Sequence, residues 1–291
     1  MLSLIIKSHN EKNLLLFYFL MKKQVLITLL SFFSLSGLAQ LNDYARLVVN
    51  YASQFKFRQE NPKLFEDEQI LEIGTHYSAY YGLWNTRRAD IKDSITARGG
   101  SYSEIMQALA QSGYPLSKQD YAVYKNYPQK GKLTYTDVVF KKFRYTETID
   151  KPVWKILPGD TLIYKYPCQK AQTVFRGRTW IVWFTSSIPI SDGPWKLHGL
   201  PGLILNAQDS TGDFSFRCIG LKKGRQTMVR KPKGKFIECT PQKLARMHTQ
   251  CAKNPETFLQ NFGISGMVSQ GPDGKPIVYK EEHPVLLEII P

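Results

Sequence analysis

The sequence has none of the short motifs by which common enzyme classes are recognised. It contains no glycine-rich phosphate loop, no GxSxG turn around a nucleophilic serine and no HExxH zinc-binding helix. Asp209 and Asp213 lack the alternating acidic residues and the closing glutamate of a calcium loop, so they predict a turn. These absences argue against the motif-defined nucleotide hydrolases, serine hydrolases and zinc peptidases. We expect no cofactor and no metal.

Long apolar runs are confined to the start of the chain. Two lysines follow Met21, and an apolar stretch then covers residues 25–35. A basic start, an apolar stretch of roughly 7–15 residues and small residues before the cut are typical of a secretory signal peptide. We therefore predict a signal at residues 21–39, with cleavage after Ala39.

The signal predicts an exported protein that is located in the periplasm, associated with the cell envelope or secreted. Residues 1–20 then form an upstream extension, because Met21 already opens a complete signal. The alternative is a two-part membrane anchor, but Lys22 and Lys23 interrupt the apolar run before it reaches the roughly 20 residues that a span needs. No later stretch is long and apolar enough, so the mature form is not expected to span a membrane.

Cysteines are few. The four are Cys168, Cys218, Cys239 and Cys251. No two have CxxC spacing or the spacing of zinc ligands. Export permits disulfides, and four cysteines allow three complete pairings that the sequence does not rank. Cys218 falls on the same side of a predicted strand as Phe214 and Phe216, so a buried free thiol is an equal alternative for it.

The chain is strongly basic, with a formal net charge of +15. Removal of residues 1–39 takes away four lysines and one glutamate, which leaves +12. Seven positive charges lie within residues 222–235 without one acidic residue. In a cytosolic protein this run would indicate nucleic acid, but export argues against that partner. Anionic head groups of the envelope fit better, and a solvated basic hairpin is the alternative.

Short β-branched or aromatic runs alternate with turn residues through the middle of the mature chain. Predicted strands cover residues 71–83, 133–140, 143–149, 153–157, 161–166, 172–175, 179–184, 203–207 and 214–219. Turns are predicted at residues 158–160 and at residues 176–178. Short strands with tight turns indicate a mainly antiparallel sheet. The predicted fold class is mainly β, or α+β, with a curved antiparallel sheet and a few short helices. By analogy we draw it as a half-barrel like that of lipoprotein carriers.

Helices are predicted in two places. Residues 101–111 begin with a capping serine and carry apolar residues at helical spacing. Thr240 followed by proline starts a second helical region, residues 240–262. A hairpin is predicted around residues 272–274. We assign all these elements to a single β-rich domain, residues 40–291.

The most unusual segment is IPISDGPWKLHGLPGLIL, residues 188–205. Turns are usually polar, yet Pro201 and Gly202 lie between Leu200 and Leu203. Proline presets the first corner of a type II turn, and glycine supplies the positive φ of the second. The apolar flanks predict that this reversal is covered. It is then a rigid lip of a ligand cavity or a docking edge, or else a buried crossover that locks the core.

The same segment carries a family resemblance. Its motif is Gly199, Leu200, Pro201, Gly202, Leu203 and Ile204. Upstream lie CQKA at residues 168–171 and RGRTW at residues 176–180. In this order the elements resemble the GLPGLI family over residues 165–215. The resemblance implies an exported, β-rich protein of the Gram-negative cell envelope whose activity is not established. Residues 282–288 depart from the Asn-Pro-Leu-Glu-Leu ending of that family.

These features favour a non-enzymatic protein that binds an apolar or amphipathic ligand, such as a lipid or a peptide. In this hypothesis the loop lines the cavity and two arginines meet an anionic group at its mouth. The predicted site consists of Trp195, His198, Leu200, Pro201, Leu203, Arg176 and Arg178.

Two alternatives remain open. The first is an accessory subunit that docks on an outer-membrane protein complex through an exposed sheet edge and the rigid loop. The second is a hydrolase that uses Cys168 or His198, although nothing in their spacing requires the two to meet. A metal held by His198 with Asp192 and Asp209 has no supporting motif.

Overall fold

The structure, a computed structural model, describes residues 22, 42–224, 227–264 and 283–289. Apart from residue 22, the predicted upstream extension and signal lie outside the described residues, as does the predicted hairpin around residues 272–274. The chain divides into two compact units, Met1–Asn42 and Asp43–Pro291. The fold below is that of the second unit.

Strands dominate this unit. They are β1 (Leu47–Lys56), β2 (Leu64–Ile73), β3 (Ser78–Gly82), β4 (Ala122–Lys125), β5 (Lys132–Val139), β6 (Lys141–Thr148), β7 (Lys155–Ile163), β8 (Tyr166–Phe175), β9 (Arg178–Thr185), β10 (Leu203–Asp209), β11 (Phe214–Lys223) and β12 (Ile237–Glu238). The helices are α1 (Leu83–Ala97), α2 (Tyr102–Gln111), α3 (Pro241–Lys253) and α4 (Pro255–Gln260). None of these helices is both long and apolar enough to cross a membrane.

The twelve strands of the described residues form one open sheet in the order β12-β6-β5-β4-β3-β2-β1-β11-β10-β9-β8-β7. Neighbouring strands are antiparallel, except that β12 runs parallel to β6. The predicted fold class, a mainly antiparallel sheet with a few short helices, is therefore confirmed.

Side chains that alternate along each strand build the main core on one face of the sheet. In β1, Val49, Tyr51, Ser53 and Phe55 are buried, while the residues that alternate with them are more exposed. This period of two is that of a strand with one covered face. The same core takes in residues of β2 to β6 and of β8 to β11, together with the loop between β9 and β10. We call this side of the sheet the inner face.

The sheet is strongly curved, because strands far apart in its order touch across the inner face. The strands β5, β4, β3, β2, β1, β11 and β10 separate β6 from β9. Nevertheless, Arg176 in the turn before β9 lies 3.2 Å from the carboxylate of Glu147 in β6 and 2.7 Å from that of Asp150. Lys196 from the loop after β9 also reaches Glu147, at 2.6 Å. Side chains thus bridge the open side of the curve.

Local capping signals place three of the helices. Ser101 accepts a hydrogen bond from the Glu104 amide at the start of α2, and Thr240 accepts one from Lys243 at the start of α3. Asn254 caps α4, whose first residue is a proline. The predicted helical regions at residues 101–111 and 240–262 are present with nearly these bounds.

Three sequence predictions about individual elements are wrong. The predicted strand at residues 161–166 contains the turn between β7 and β8, in which Tyr164 and Lys165 have positive φ. Residues 158–160 do not form a turn between two strands, since β7 continues through them with a register shift between Leu157 and Asp160. Pro158 and Gly159 therefore form a bulge, where a missing amide donor is tolerated. In addition, the run at residues 71–83 is not one strand. It divides into β2 and β3, and helix α1 follows from Leu83.

Candidate functional site

The predicted site lies mainly in the core. Trp195 and Leu203 have no exposed surface, and Leu200 is 3% exposed. Among the predicted loop residues, Pro201 is exposed, and His198 is half-buried. Because a ligand cannot touch Trp195 or Leu203 unless the loop moves, their positions fit the alternative of a buried crossover that locks the core.

A buried ion pair holds this loop against the inner face. Lys125 of β4 lies 2.5 Å from the carboxylate of Asp192, and both side chains are almost completely buried. The same ammonium group donates to the carbonyl oxygens of Gly193 at 2.7 Å and Trp195 at 2.9 Å. Burial lowers the pKa of Lys125, although Asp192 opposes this effect. Trp195 has a φ of 52°, an unusual value for a bulky residue, which these contacts hold in place.

The turn at the motif differs from the type II geometry that the sequence predicts. The glycine with positive φ is Gly199, at 100°, and Gly202 does not have a positive φ. Gly202 is needed for another reason, since a Cβ there would lie 2.1 Å from the carbonyl oxygen of Thr185. The motif thus uses its glycines for one left-handed residue and one close backbone approach.

Both predicted arginines bind groups of this chain. Arg178 pairs with Asp209 at 2.5 Å and Asp213 at 3.2 Å, and its guanidinium also donates to the carbonyl oxygen of Leu286 at 2.7 and 3.0 Å. Arg176 faces the carboxylates near the end of β6 and that of Glu288. A ligand anion that binds these arginines, as the sequence predicts, would have to compete with these carboxylates.

The residues of the hydrolase hypothesis have little chemical reactivity where they lie. Cys168 is 1% exposed, and burial raises the pKa of its thiol, which disfavours the nucleophilic thiolate. Burial raises the pKa of Cys218 to about 11. Burial also lowers the pKa of His198, whose Nδ1 lies 2.8 Å from the carbonyl oxygen of Lys196. All four cysteines are free thiols.

A different part of the inner face contains a cavity of about 580 Å³. It lies between the sheet, helix α3 and residues 284–288. Its apolar wall includes Phe55, Tyr121, Tyr135, Val139, Phe214 and Leu244. Tyr121, Tyr135 and Tyr145 stack in a row along this wall, with ring centroids 5.7 and 5.0 Å apart. One wall of the cavity is therefore aromatic, a character that favours flat or apolar ligands.

One polar group of the cavity is an Asp–His pair. His248 of α3 places Nε2 2.9 Å from the carboxylate of Asp137 in β5, and both line the cavity. Burial lowers the pKa of His248, but the Asp137 carboxylate outweighs it and raises that pKa above its ordinary value. The pair can offer a ligand a hydrogen bond through the other ring nitrogen.

A second polar group is a buried charge network beside the cavity. Lys196, 1% exposed, contacts Glu288 and donates to Glu147 at 2.6 Å and to the hydroxyl of Tyr145 at 2.9 Å. Tyr145 and Glu288 line the cavity. The ammonium group of Lys196 also lies 5.2 Å from the ring centre of Tyr135. The carboxylate of Glu288 is therefore neutralised within the chain.

Sequence reasoning missed this cavity because its residues come from distant parts of the chain. Strands β1, β5, β6 and β11 contribute to it, as do α3 and residues 284–288. One signal was available: in α3, Leu244, His248 and Cys251 are spaced for one helix face, and all three line the cavity. In the described part of the chain, no group of three or more His, Cys, Asp or Glu side chains is placed to hold a metal ion.

The basic run has acidic partners that lie elsewhere in the sequence. Arg230 pairs with Asp90 of α1 at 2.7 Å, and Lys233 pairs with Asp93 of the same helix at 2.6 Å. The backbone amide of Arg230 also donates a hydrogen bond to the carboxylate of Glu72. Part of the run therefore joins α1 to the sheet.

Comparison with known proteins gives a short family match and no function. Residues 169–206 match a family described as a protein of unknown function (Porph_ging). The match includes the motif at residues 199–204 but covers a small part of the chain. It does not test the resemblance to the GLPGLI family, which stays a prediction. No curated protein matches this chain.

Three solved structures show remote likeness to this chain. PNGF-II in two crystal forms is 13% identical to this chain, with TM-scores of 0.42 and 0.43. The matches cover 70% and 69% of this chain and 32% of PNGF-II, so this chain spans about a third of that protein's length. A DUF1329 family protein from Desulfovibrio piger is 6% identical, with a TM-score of 0.19, over 62% of this chain and 86% of that one. Likeness at this level carries no argument about function.

Proposed function

We propose that this protein is an exported, non-enzymatic binding protein, and that its ligand occupies the cavity between the inner face, helix α3 and residues 284–288. The observation that carries the proposal is the cavity itself. Its volume of about 580 Å³ falls within the roughly 300–1,000 Å³ of small-molecule sites, and its wall combines aromatic and aliphatic side chains with polar and charged ones.

The polar groups suggest what kind of head group the ligand carries. The carboxylates of Asp137 and Glu288 each have a cationic or protonatable partner, His248 and Lys196 respectively. These two carboxylates therefore do not attract a cation strongly, and the wall also carries side chains of both signs, Lys56, Lys118 and Asp120. A neutral or zwitterionic amphipathic molecule, with an apolar body and a hydrogen-bonding end, fits this arrangement better than a fatty-acid anion does.

Binding of a neutral fluorescent probe, N-phenyl-1-naphthylamine, tests the proposal directly. Ala245 lines the cavity on α3, so Ala245→Trp should fill part of it and weaken probe binding at least tenfold. Arg246→Trp, on the exposed side of the same helix, is the matched control and should bind like the wild type. Neutral lysolipids should displace the probe. No binding by the wild type, or equal binding by the Ala245→Trp protein, would remove the proposal.

A second candidate function is docking on an envelope protein through the edge of the sheet. Strand β7 ends the sheet order, so its outer side has no partner among the described strands. Ile156 and Leu162 of β7 are 52% and 72% exposed, and Val174 of the adjacent strand is 73% exposed. An unpaired edge with exposed apolar side chains favours strand addition by a partner.

Co-purification from detergent extracts tests this second function. An outer-membrane protein that is retained by the wild type should be lost from the Leu162→Lys protein, because a charge on the edge opposes strand addition. Leu116→Lys is the matched control, since Leu116 is 69% exposed and lies in the loop between α2 and β4. Equal retention by all three proteins would exclude the edge as the docking surface.

A further inference from the structure

Residues 283–289, which we call the docked segment, cross the inner face from the loop after β1 to the turn between β8 and β9. At one end, the amide of Val285 donates to the carbonyl oxygen of Phe57 at 2.8 Å. In the middle, Arg178 donates twice to the carbonyl oxygen of Leu286. At the other end, the amide of Ile289 donates to the carbonyl oxygen of Arg176 at 3.0 Å. These contacts use only the backbone of the docked segment.

The most buried side chain of the docked segment is acidic. Glu288 is 9% exposed, whereas Val285, Leu286 and Leu287 are only half-buried. Apolar burial therefore does not explain the position of this segment by itself. Glu288 is thus the most deeply buried residue of the segment, and it is also the one whose burial without a partner would cost the most free energy.

Three side chains of the sheet and its loops receive this carboxylate. Lys196 contacts Glu288 Oε1, and the hydroxyl of Tyr145 donates to the same oxygen at 3.3 Å. Arg176 lies 3.9 Å from Oε2. We call Tyr145, Arg176 and Lys196 the carboxylate pocket. Lys196 is 1% exposed, so the pocket is formed inside the protein.

Backbone contacts along a groove, combined with one pocket for a particular side chain, are the usual means by which proteins recognise extended peptides. The backbone contacts give affinity without regard to sequence, and the pocket gives specificity. The docked segment meets both conditions, because three of its amides and two of its carbonyl groups are paired and its one deeply buried side chain has a dedicated pocket.

We infer that this groove is a peptide-binding site, and that the docked segment occupies it within the same chain. The partner ligand is an extended peptide of another protein, with apolar residues followed by a glutamate or aspartate that enters the carboxylate pocket. This inference goes beyond the proposed function and does not depend on a ligand in the cavity.

Binding of a labelled peptide HPVLLEII, the sequence of residues 283–290, to full-chain variants tests the inference by fluorescence anisotropy. In Glu288→Lys, the lysine is repelled by Arg176 and Lys196, so the groove should be vacated. This variant should bind the peptide at least tenfold more tightly than the wild type, whose own segment competes at an effective concentration of about millimolar. Glu104→Lys, on the exposed side of α2, is the matched control and should bind like the wild type.

Further measurements distinguish the outcomes. The same peptide with glutamine in place of its glutamate should bind the Glu288→Lys protein at least tenfold more weakly. Should that variant fail to fold, Glu288→Gln keeps the shape of the side chain, and it should speed amide exchange at Val285 and Ile289 about tenfold. A folded variant that binds no peptide, or equal binding of both peptides, overturns the inference. A dimer that exchanges the segment between two copies would overturn the assignment to a partner protein.

Discussion

Gly202 approaches the backbone of Thr185 so closely that no side chain fits between them. Replacement of this glycine is therefore expected to destabilise the protein, although its φ alone does not indicate this. In Gly202→Ala, either the loop or strand β9 must shift, and the loop is held by the Lys125–Asp192 pair. We expect a loss of stability of about 3 kcal/mol, at the upper end of the usual cost of overpacking.

Urea unfolding measures this change. The matched control is Gly220→Ala in β11, where φ is not positive and the nearest atom to a new Cβ is that of Asn50, at 3.9 Å. Alanine there should be neutral or stabilising by up to about 1 kcal/mol, because it restricts the unfolded chain. Equal unfolding midpoints for the two variants would show that the loop has more freedom than the structure indicates.

His248 links the stability of the fold to pH. Its pKa in the folded protein is raised above the ordinary value of about 6.5. The contribution of the Asp137–His248 pair is therefore fully present below that ordinary value and is lost as pH rises through the raised folded value. We expect it to be roughly 0.5–1 kcal/mol, since His248 is partly exposed.

Urea unfolding between pH 5.5 and pH 9 checks this dependence. The wild type should be more stable to unfolding than His248→Gln at low pH, and this difference in stability should decrease as pH rises above about 6.5. His76→Gln is the control for the loss of an imidazole outside this pair. If the stability difference between wild type and His248→Gln stays constant across the range, the pair does not titrate as the geometry requires.

At the scale of elements, the fold depends on how the loop between β9 and β10 is fixed to β4. The side chain of Lys125 reaches the Asp192 carboxylate and the carbonyl oxygens of Gly193 and Trp195 together. In Lys125→Met, all three acceptors lose this buried donor. Loss of one partner of a buried ion pair typically costs about 3–5 kcal/mol, because the remaining charge is unpaired.

Chemical denaturation of Lys125→Met should show a loss in this range. The double variant Lys125→Met/Asp192→Asn removes the unpaired charge, so it should recover part of the lost stability. A double variant no more stable than Lys125→Met would mean that the carbonyl contacts, rather than the ion pair, fix the loop.

The elements that the sequence predicted correctly have local signals. Ser101 and Thr240 mark helix starts by their own hydroxyl groups, and a continuous run of β-branched and aromatic residues marks strands such as β9. Helix α1 has no such signal, because it has no side-chain cap and only Leu83 and Ile95 are buried. The continuity of β7 through Pro158 depends on pairing with β8, which composition does not encode.

At the scale of the whole molecule, the decisive contacts are between residues far apart in sequence. Strand β1 pairs with β11, and the cavity forms only when α3 and residues 284–288 are added to the inner face. A reading of local pattern predicted an antiparallel sheet but not its strand order or the cavity. The sequence predicted that the loop of residues 188–205 is buried, and in the structure this loop is part of the core of the protein itself.

Lys196 offers the sharpest test of how the curved sheet is held. Its ammonium group joins the loop after β9 to Glu147 of β6 and to Glu288 of the docked segment. In Lys196→Met, two carboxylates remain near each other with only Arg176 to neutralise them. We expect a loss of about 3–5 kcal/mol in the free energy of unfolding.

The matched control for this change is Lys130→Met, which removes an exposed lysine and should alter stability by no more than about 0.5 kcal/mol. If Lys196→Met also lost less than about 1 kcal/mol in urea unfolding, the apolar core alone would hold the curve. With a loss in the expected range, Glu147→Gln in the Lys196→Met background should restore part of the stability, because it removes one of the two facing carboxylates. Recovery in that double variant would tie the stability of the curved sheet to the charges that bridge its open side.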